Sequence, residues 1–172
     1  MAEGSDAMRK IRIAKVTLNV GAGESGDKLE KAQKLLAKLT SRTPVQTLSH
    51  ERNPTFKITK GKPIGTKVTL RGKPAEEMLR KALEVRDNKL SAKGFDRTGS
   101  FSFGIGEYID LPGVRYDPAI GMYGFDVAVT LERPGRRVAR RRRAVAKVGR
   151  RQRITTQEAI EWARAFGIEV EE

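Results

Sequence analysis

The sequence contains no cysteine. That excludes disulfides, thiolate metal sites and a cysteine nucleophile together, and it suits a reducing cytoplasm. A single histidine, His50, rules out a multi-histidine metal centre, and its sequence neighbours suggest no activated nucleophile. No metal, cofactor or catalytic residue is expected. No apolar run approaches the ~18 residues that a membrane helix requires, so no membrane partner is expected either. The opening, MAEGSDAMRK, is polar and lacks an apolar stretch of signal-peptide length.

Acidic residues are missing from one segment altogether. Between Arg133 and Gln157 there are 11 Lys and Arg and no Asp or Glu. From Arg42 to Lys73 there are 8 basic residues and one acid, Glu51. The whole chain carries +14 over 172 residues, so the remainder is slightly acidic and these two segments hold all the excess. A clustered basic footprint points to a polyanion, most commonly nucleic acid.

Periodicity supplies an outline. Lys10 to Val20 reads as a strand with a phase slip near Ala14–Lys15, the mark of a bulge. Past the slip, Lys15, Thr17 and Asn19 oppose Val16, Leu18 and Val20. The glycine loop GAGESG follows from Gly21 to Gly26. A helix then begins with Asp27 and Glu30 as a capping pair, and Leu29, Ala32, Leu35, Leu36 and Leu39 form its stripe. Val45 to Ser49 is a short strand, and His50 to Gly61 a loop. In the strand Pro63 to Arg71, Ile64, Val68 and Leu70 oppose Lys67, Thr69 and Arg71.

Pro74 suits the start of a second helix, with Met78, Leu79, Ala82, Leu83 and Leu90 as its buried stripe. Phe101, Phe103 and Ile105 alternate as a strand, as do Tyr123, Phe125, Val127, Val129 and Leu131. These aromatics therefore read as core, not as a base-stacking set. The stretch between them, Ile109 to Gly121, is a loop rich in Pro, Gly and Asp. The arginine segment has too few apolar positions for a core helix, and such a segment can stay unfolded until RNA orders it. A last helix is capped by the Thr155 and Glu158 pair, carries Ala159, Ile160, Ala163 and Phe166 inward, and stops at Gly167.

Strands with one polar face need only one covered face. The expected fold is α+β in two layers: an antiparallel or mixed sheet with helices on one face and the other open. All 172 residues are expected to form a single domain. The open face would show Lys15, Thr17, Asn19, Lys67, Thr69 and Arg71, which suit phosphate and sugar contacts.

Two nucleotide-binding motifs must be weighed against this outline. GAGESG matches G-x-G-x-x-G between a strand and a helix, and Glu51 lies at a distance suited to a ribose contact. The first strand, however, carries Arg12, Lys15, Thr17 and Asn19 where a dinucleotide fold needs an apolar strand. The Walker A reading fails because Asp27 intervenes before Lys28 and Leu29 replaces the Ser or Thr. A tight turn remains, whose helix start can still receive an RNA phosphate. Asp110, Asp117 and Asp126 lack the close spacing of a calcium loop.

Three stretches carry a specific resemblance: IAKVTLNVGAGESGDKLEKA, KGKPIGTKVTLRG and FSFGIGEYIDLPGVRYDPAIGMYGFDVAVTLERPG. Together they resemble the large-subunit ribosomal protein five family, the universal binder of 5S ribosomal RNA, in its archaeal form. VARRRR and RITTQEAIEWA resemble the archaeal and eukaryotic branch. The resemblance covers Met8 to Ile168, and residues 1–7 look like an extension.

The resemblance implies a non-enzymatic protein of the central protuberance that contacts 5S rRNA through the open face. Family positions facing 5S rRNA match Asn19 and Thr69, and a third, often glutamine, is Arg42 here. Lys15, Thr17, Gly21, Gly23, Lys67 and Arg71 complete the expected 5S rRNA surface. The loop Arg52 to Lys62 resembles a finger that approaches P-site tRNA, with Arg52, Phe56, Lys57, Lys60 and Lys62 as its facing residues. His50–Glu51 departs from the family's basic pattern at the loop's base.

Arg136, Arg137, Arg140, Arg141, Arg142, Arg143, Lys147, Arg150, Arg151 and Arg153 are expected to neutralise phosphates of 5S or 23S rRNA. Further implied partners are small-subunit ribosomal protein thirteen, across an intersubunit bridge, and other large-subunit proteins of the 5S particle. The loop Asp110 to Gly121 is the candidate for the bridge. Two alternatives stay open on the residues alone: a nucleotide-binding enzyme using GAGESG, and a basic protein that binds nucleic acid without specificity.

Overall fold

The structure, a computed structural model, describes residues 7–23 and 26–171. Glu24 and Ser25 of the glycine loop, residues 1–6 of the N-terminal extension and Glu172 lie outside the described residues. The elements are β1 (Arg12–Gly21), α1 (Asp27–Thr40), β2 (Val45–Leu48), β3 (Pro63–Leu70), α2 (Lys73–Glu84), β4 (Lys89–Ser91), β5 (Phe101–Ile105), β6 (Phe125–Glu132), α3 (Thr156–Phe166) and β7 (Glu169–Glu171).

Five strands form a sheet in the order β2-β3-β1-β6-β5, and every neighbouring pair is antiparallel. The expected bulge is present: the β1–β6 register shifts between Ile13 and Lys15. That shift sets which residues of β1 face inward. Val16, Leu18 and Val20 are at most 1% exposed, while Lys15, Thr17 and Asn19 are half-buried on the other parity. One apolar cluster joins these side chains to Val68 and Leu70 of β3, Phe101, Phe103 and Ile105 of β5, and Val127, Val129 and Leu131 of β6. Leu35 and Leu36 of α1, Leu79 and Leu83 of α2, and Ala159 and Ala163 of α3 enter the same cluster. The architecture is thus α+β, with the helices packed on one face.

The antiparallel pairing removes the dinucleotide-fold reading of GAGESG. That fold needs parallel strands joined by crossover helices, and β1 has antiparallel neighbours on both sides.

Three local expectations are corrected. First, Asp27 and Glu30 form no capping pair. Gly26 is the N-cap at φ 120°, no side chain caps the helix, and the N–H groups of Leu29 and Glu30 donate to the Gly26 carbonyl. The two acids instead complement the helix dipole from the first turn. Second, Leu90 is not on the second helix, which ends at Glu84. Asp87 and Asn88 take left-handed φ values of 52° and 57°, a conformation their short polar side chains tolerate. Leu90 then enters β4, buried, and pairs with Val170 of β7 in a two-stranded parallel sheet. Third, that closing strand β7 has no counterpart in the sequence reading. The last helix fits its reading: Thr155 caps it in a reciprocal box with Glu158, and Gly167 ends it at φ 99°.

Gly99 couples the loop before β5 to the start of α3. It sits at φ +75°, and a Cβ there would lie 2.5 Å from Ile154 Cγ2. Backbone and side chain can meet that closely only at glycine.

Truncating Leu18, fully buried at the centre of the sheet, is expected to cost about 2–5 kcal/mol. Urea denaturation of Leu18→Ala tests this: a loss below about 1 kcal/mol would mean that β1 is not the centre of the core.

Candidate nucleic-acid interface

Residues paired across antiparallel strands share a face, so the register assembles the open side of the sheet. Thr17 of β1 lies between Thr69 of β3 and Ala128 of β6. Asn19 lies between Lys67 and Asp126, and Lys15 pairs with Thr130. On β5, Gly104 pairs with Asp126 and Ser102 with Ala128. The predicted Lys15, Thr17, Asn19, Lys67 and Thr69 are therefore brought together on two adjacent strands. Arg71 is exposed just beyond the end of β3.

The surroundings of these residues are small: Gly65, Gly104, Ala128, Ser102. Gly65 marks the closest approach, because a Cβ there would lie 2.7 Å from Thr47 Oγ1 and 2.9 Å from the Val20 carbonyl oxygen. The result is a low, polar surface of hydroxyls, amides and amines that a folded nucleic acid can approach. Charge is unevenly spread on it. Lys15, Lys67 and Arg71 lie on the β1–β3 side, and Asp126 lies on the β6 side. The β5 and β6 contributions were absent from the sequence reading, although the alternation Asp126, Ala128, Thr130 carried the signal.

The glycine loop is tied to the sheet. The N–H groups of Ala22 and Gly23 both donate to the Ile64 carbonyl, at 3.0 Å each. Gly21 and Gly23 are at this margin, both exposed, with Gly23 at φ +71°. Arg42 is exposed in the turn that leads α1 into β2.

The segment from His50 to Gly61, read as a loop, is an extension of the β2–β3 hairpin. At its base, Ser49 N–H donates to Lys62 O and Gly61 N–H to Ser49 O, both at 2.9 Å. Further out, Asn53 and Ile58 exchange two 2.9 Å bonds in an isolated bridge. The tip turns at Lys57, φ 54°, and presents Phe56 at 71% exposure. Arg52, Lys57 and Lys60 are exposed along it, and Lys62 is half-buried at its base. An apolar ring held out on a cationic finger has no role in the fold of this chain.

The arginine segment is folded against the body at both ends. Arg133 is the clamp: its side chain is only 10% exposed and lies 2.8 Å from Glu158 Oε1. It also donates to the carbonyls of Arg9 at 3.0 Å and Arg151 at 3.3 Å. Gln152 Nε2 donates to Met8 O and Pro134 O. Between these anchors, Ala146 N–H donates to Val138 O, so Arg140 to Arg143 occupy the tip of a closed loop.

The predicted phosphate contacts now divide. Arg140 Nη1 lies 3.3 Å from Glu132 Oε2, and Arg12 Nη2 lies 3.2 Å from Glu132 Oε1. Arg136, Arg141 and Arg153 donate to backbone carbonyls of Leu131, Ala144 and Val148. Among the described residues, Arg137, Arg142, Arg143, Lys147, Arg150 and Arg151 make no ion pair or side-chain hydrogen bond within the chain. All six are exposed.

Asp117 anchors the loop between β5 and β6. Its carboxylate lies 2.9 Å from Lys38 Nζ of α1, its N–H donates to the Tyr108 hydroxyl, and it accepts from Ala119 N–H. The lysine contact and the backbone bond hold its pKa below the usual carboxylate value. Tyr116 and Met122 are half-exposed on this loop.

Family comparison is decisive for this fold. Residues 6–59 match the model described as Ribosomal protein L5, and residues 63–162 match the model of the same ribosomal family's C-terminus. The chain belongs to the ribosomal L5 family. Curated relatives agree along nearly the whole length. The Large ribosomal subunit protein uL5 of Sulfurisphaera tokodaii is 51% identical over 156 residues, covering 90% of this chain and 88% of that protein. The protein of the same name from Nanoarchaeum equitans is 51% identical over 165 residues, covering 95% and 97%. That of Methanosphaera stadtmanae is 44% identical over 167 residues, covering 96% and 99%.

As an L5-family member the chain is a structural protein of the large ribosomal subunit and not an enzyme. That disposes of a catalytic role for the glycine loop. It also gives the unpaired arginines and the polar sheet face a setting rich in phosphate.

The clamp generates a pH dependence. Glu158 has a pKa below its usual 4.5, first because Thr155 N–H donates to its carboxylate and also because Arg133 pairs with it. A depressed carboxylate contributes stability that is present above the unfolded pKa and lost as pH falls through the folded one. Glu158→Gln is therefore expected to be less stable than wild type near pH 7, with the gap closing below pH 4.5. Thr155→Ala, which removes the hydroxyl cap, is expected to cost about 1 kcal/mol near pH 7 and to change less with pH than Glu158→Gln, because the hydroxyl is the last of the contacts that lower the Glu158 pKa. Thermal melts of the three proteins from about pH 7 to about pH 3 check this. A gap between Glu158→Gln and wild type that does not change with pH would remove the Arg133–Glu158 clamp.

Proposed function

We propose that this L5-family protein binds 5S rRNA through the open face of its sheet and helps attach it in the central protuberance of the large subunit, in the cytoplasm. The observation that carries the reading is the gathering of Lys15, Thr17, Asn19, Lys67 and Thr69 on adjacent strands, on the parity opposite the buried Val16, Leu18 and Val20. A rigid face of small polar residues recognises the shape of folded RNA, where phosphate and sugar contacts set position. Gly21, Gly23, Arg42 and Arg71 extend this surface at its margins. The chain acts as one RNA-binding domain, with residues 1–7 as an extension and residues 133–157 as a second, charge-driven contact.

In that second contact the unpaired arginines neutralise phosphates of 5S or 23S rRNA and release counterions. The hairpin finger, with Arg52, Phe56, Lys57, Lys60 and Lys62, extends toward P-site tRNA. The loop 110–121 serves the bridge to small-subunit ribosomal protein thirteen, and other proteins of the 5S particle are its neighbours in the large subunit. These assignments rest on the family's known arrangement and on the exposure of the segments concerned.

The test is binding to refolded 5S RNA against an unrelated RNA of equal length across a salt series. A preference for 5S RNA that survives physiological salt is expected. Loss of all preference with a steep salt slope would reduce the chain to a polycation. Replacing Arg140, Arg141, Arg142 and Arg143 by alanine is expected to weaken RNA binding. It should also lower the slope of log K against log salt by about 2–3, with the domain remaining folded. An unchanged slope in an intact fold would remove these arginines from the interface. Deleting residues 53–58 is expected to spare 5S binding and to impair P-site tRNA binding by reconstituted ribosomes. Lost 5S affinity would instead place the finger in the 5S contact.

A further inference from the structure

A cleft of about 500 Å³ opens between the end of β6, the loop before β5 and the arginine segment. Its accessible apolar lining comes from Ala139 and Val148, with the buried Leu131 and Ile154 as the floor beneath them. Arg97, Arg136, Lys147 and Arg153 line it as well, and among the described residues none of these four is in an ion pair. Other charges at the cleft are already matched. Arg133 is paired with Glu158, and Glu132 lies between Arg12 and Arg140.

Two of the cations are oriented in advance. Arg136 uses Nη1 on the Leu131 carbonyl at 3.4 Å, and Arg153 uses Nε on the Val148 carbonyl at 3.2 Å. Each keeps its remaining N–H groups. The third wall is held by the contact of Gly99 with Ile154, which brings Arg97 and Thr98 to the cleft.

The occupant must therefore join a compact apolar part to more than one anionic group. The volume lies in the range of ~300–1,000 Å³ typical of small-ligand sites. A paired base inside a duplex cannot offer its ring to such a cleft. An unpaired nucleotide can, because its base is free to leave the stack and it carries a phosphate on each side. Arginine suits both parts, since its plane stacks on bases and its fork pairs with phosphate oxygens.

We propose that this cleft receives one unpaired nucleotide of ribosomal RNA, with the base against Ala139 and Val148, over the floor of Leu131 and Ile154, and the flanking phosphates on Arg97, Arg136, Lys147 and Arg153. The inference rests on the RNA-binding reading above and adds to it a base-accepting site apart from the sheet face. It makes the arginine segment a reader of RNA architecture, tuned to a bulged or looped-out residue, in addition to a source of charge.

The experiment is a methyl and amide NMR titration of the full chain with adenosine 5′-monophosphate, ribose 5-phosphate and a short peptide pairing phenylalanine with aspartate. The nucleotide is expected to shift the methyl groups of Leu131, Ala139, Val148 and Ile154 saturably. Ribose 5-phosphate should bind about tenfold more weakly, because it lacks the stacking base. Ala139→Trp should abolish the response while α3 amide signals stay in place. Lys147→Glu, at an exposed and unpaired side chain, should weaken it severalfold with the fold untouched. Absence of a saturable shift, an equal response to ribose 5-phosphate, or a response to the peptide alone would each overturn the proposal. Binding of 5S RNA is measured on the same samples. Retained 5S preference beside a silent cleft overturns the nucleotide site alone, whereas loss of that preference overturns both.

Discussion

Everything in this molecule depends on the two-sidedness of β1. The strand is central in the sheet, with β3 and β6 bonded to its two edges, and it has one face for helices and one for solvent. Val16, Leu18 and Val20 bind it to α1, α2 and α3 through a single apolar cluster. At roughly 1.5–3 kcal/mol per buried aliphatic side chain, these residues anchor the layer that fixes the sheet. The opposite parity is thereby free of any packing duty. Lys15, Thr17 and Asn19 inherit a rigid backbone without having to stabilise it. Because the side-chain period along a strand is two, a slip of one residue would bury the amides and expose the valines. The bulge between Ile13 and Lys15 is what places the strand in the correct phase.

Much of this was legible because it is periodic. The alternation in β1, β3 and β6 reveals faces, and faces determine layers. The Thr155–Glu158 cap and Gly167 bracket α3 by local chemistry alone. What escaped was not periodic. Asp87 and Asn88 end a helix through left-handed backbone without glycine or proline, so Leu90 continued a spacing that the chain had already abandoned. The strands β4 and β7 are three residues each, too short for any pattern, and exist because they find each other. Asp27 looked like a cap, but Gly26 had taken that position. In the interface, Lys15 to Thr69 could be read from parity, whereas the division of arginines into clamps and free cations could not. That division depends on Glu132 and Glu158, which lie beside the core of the arginine run and not within it.

This division changes what the positive charge means. A run of arginines with no acid nearby in sequence reads as one uniform polycation. In three dimensions, Arg133 is a structural element, nearly buried and bonded to a carboxylate and to backbone carbonyls from two other segments. Arg12 and Arg140 bracket Glu132, whose buried Oε2 is met by Arg140 Nη1 at 3.3 Å. These contacts hold a segment that has no regular secondary structure beyond two short 3-10 turns. The cost of ordering it is then met at folding instead of at RNA binding. Arginines held in place lose less freedom on meeting phosphate than arginines on a loose tail.

On the proposed RNA-binding reading, the arginine segment and the sheet face contribute different things. Charge neutralisation gives affinity that any polyanion can claim, and it fades as salt rises. The sheet face carries few charges, one of them the unfavourable Asp126 beside Asn19, and its hydroxyls and amides act only at hydrogen-bond distance. A wrong RNA shape therefore loses those contacts entirely while keeping the electrostatic attraction. On the proposed reading, specificity comes from the rigid sheet surface, and the arginine segment gains a share in it only through the proposed cleft, where position and not merely charge matters. A protein built this way can capture RNA quickly through one region and reject the wrong partner through the other.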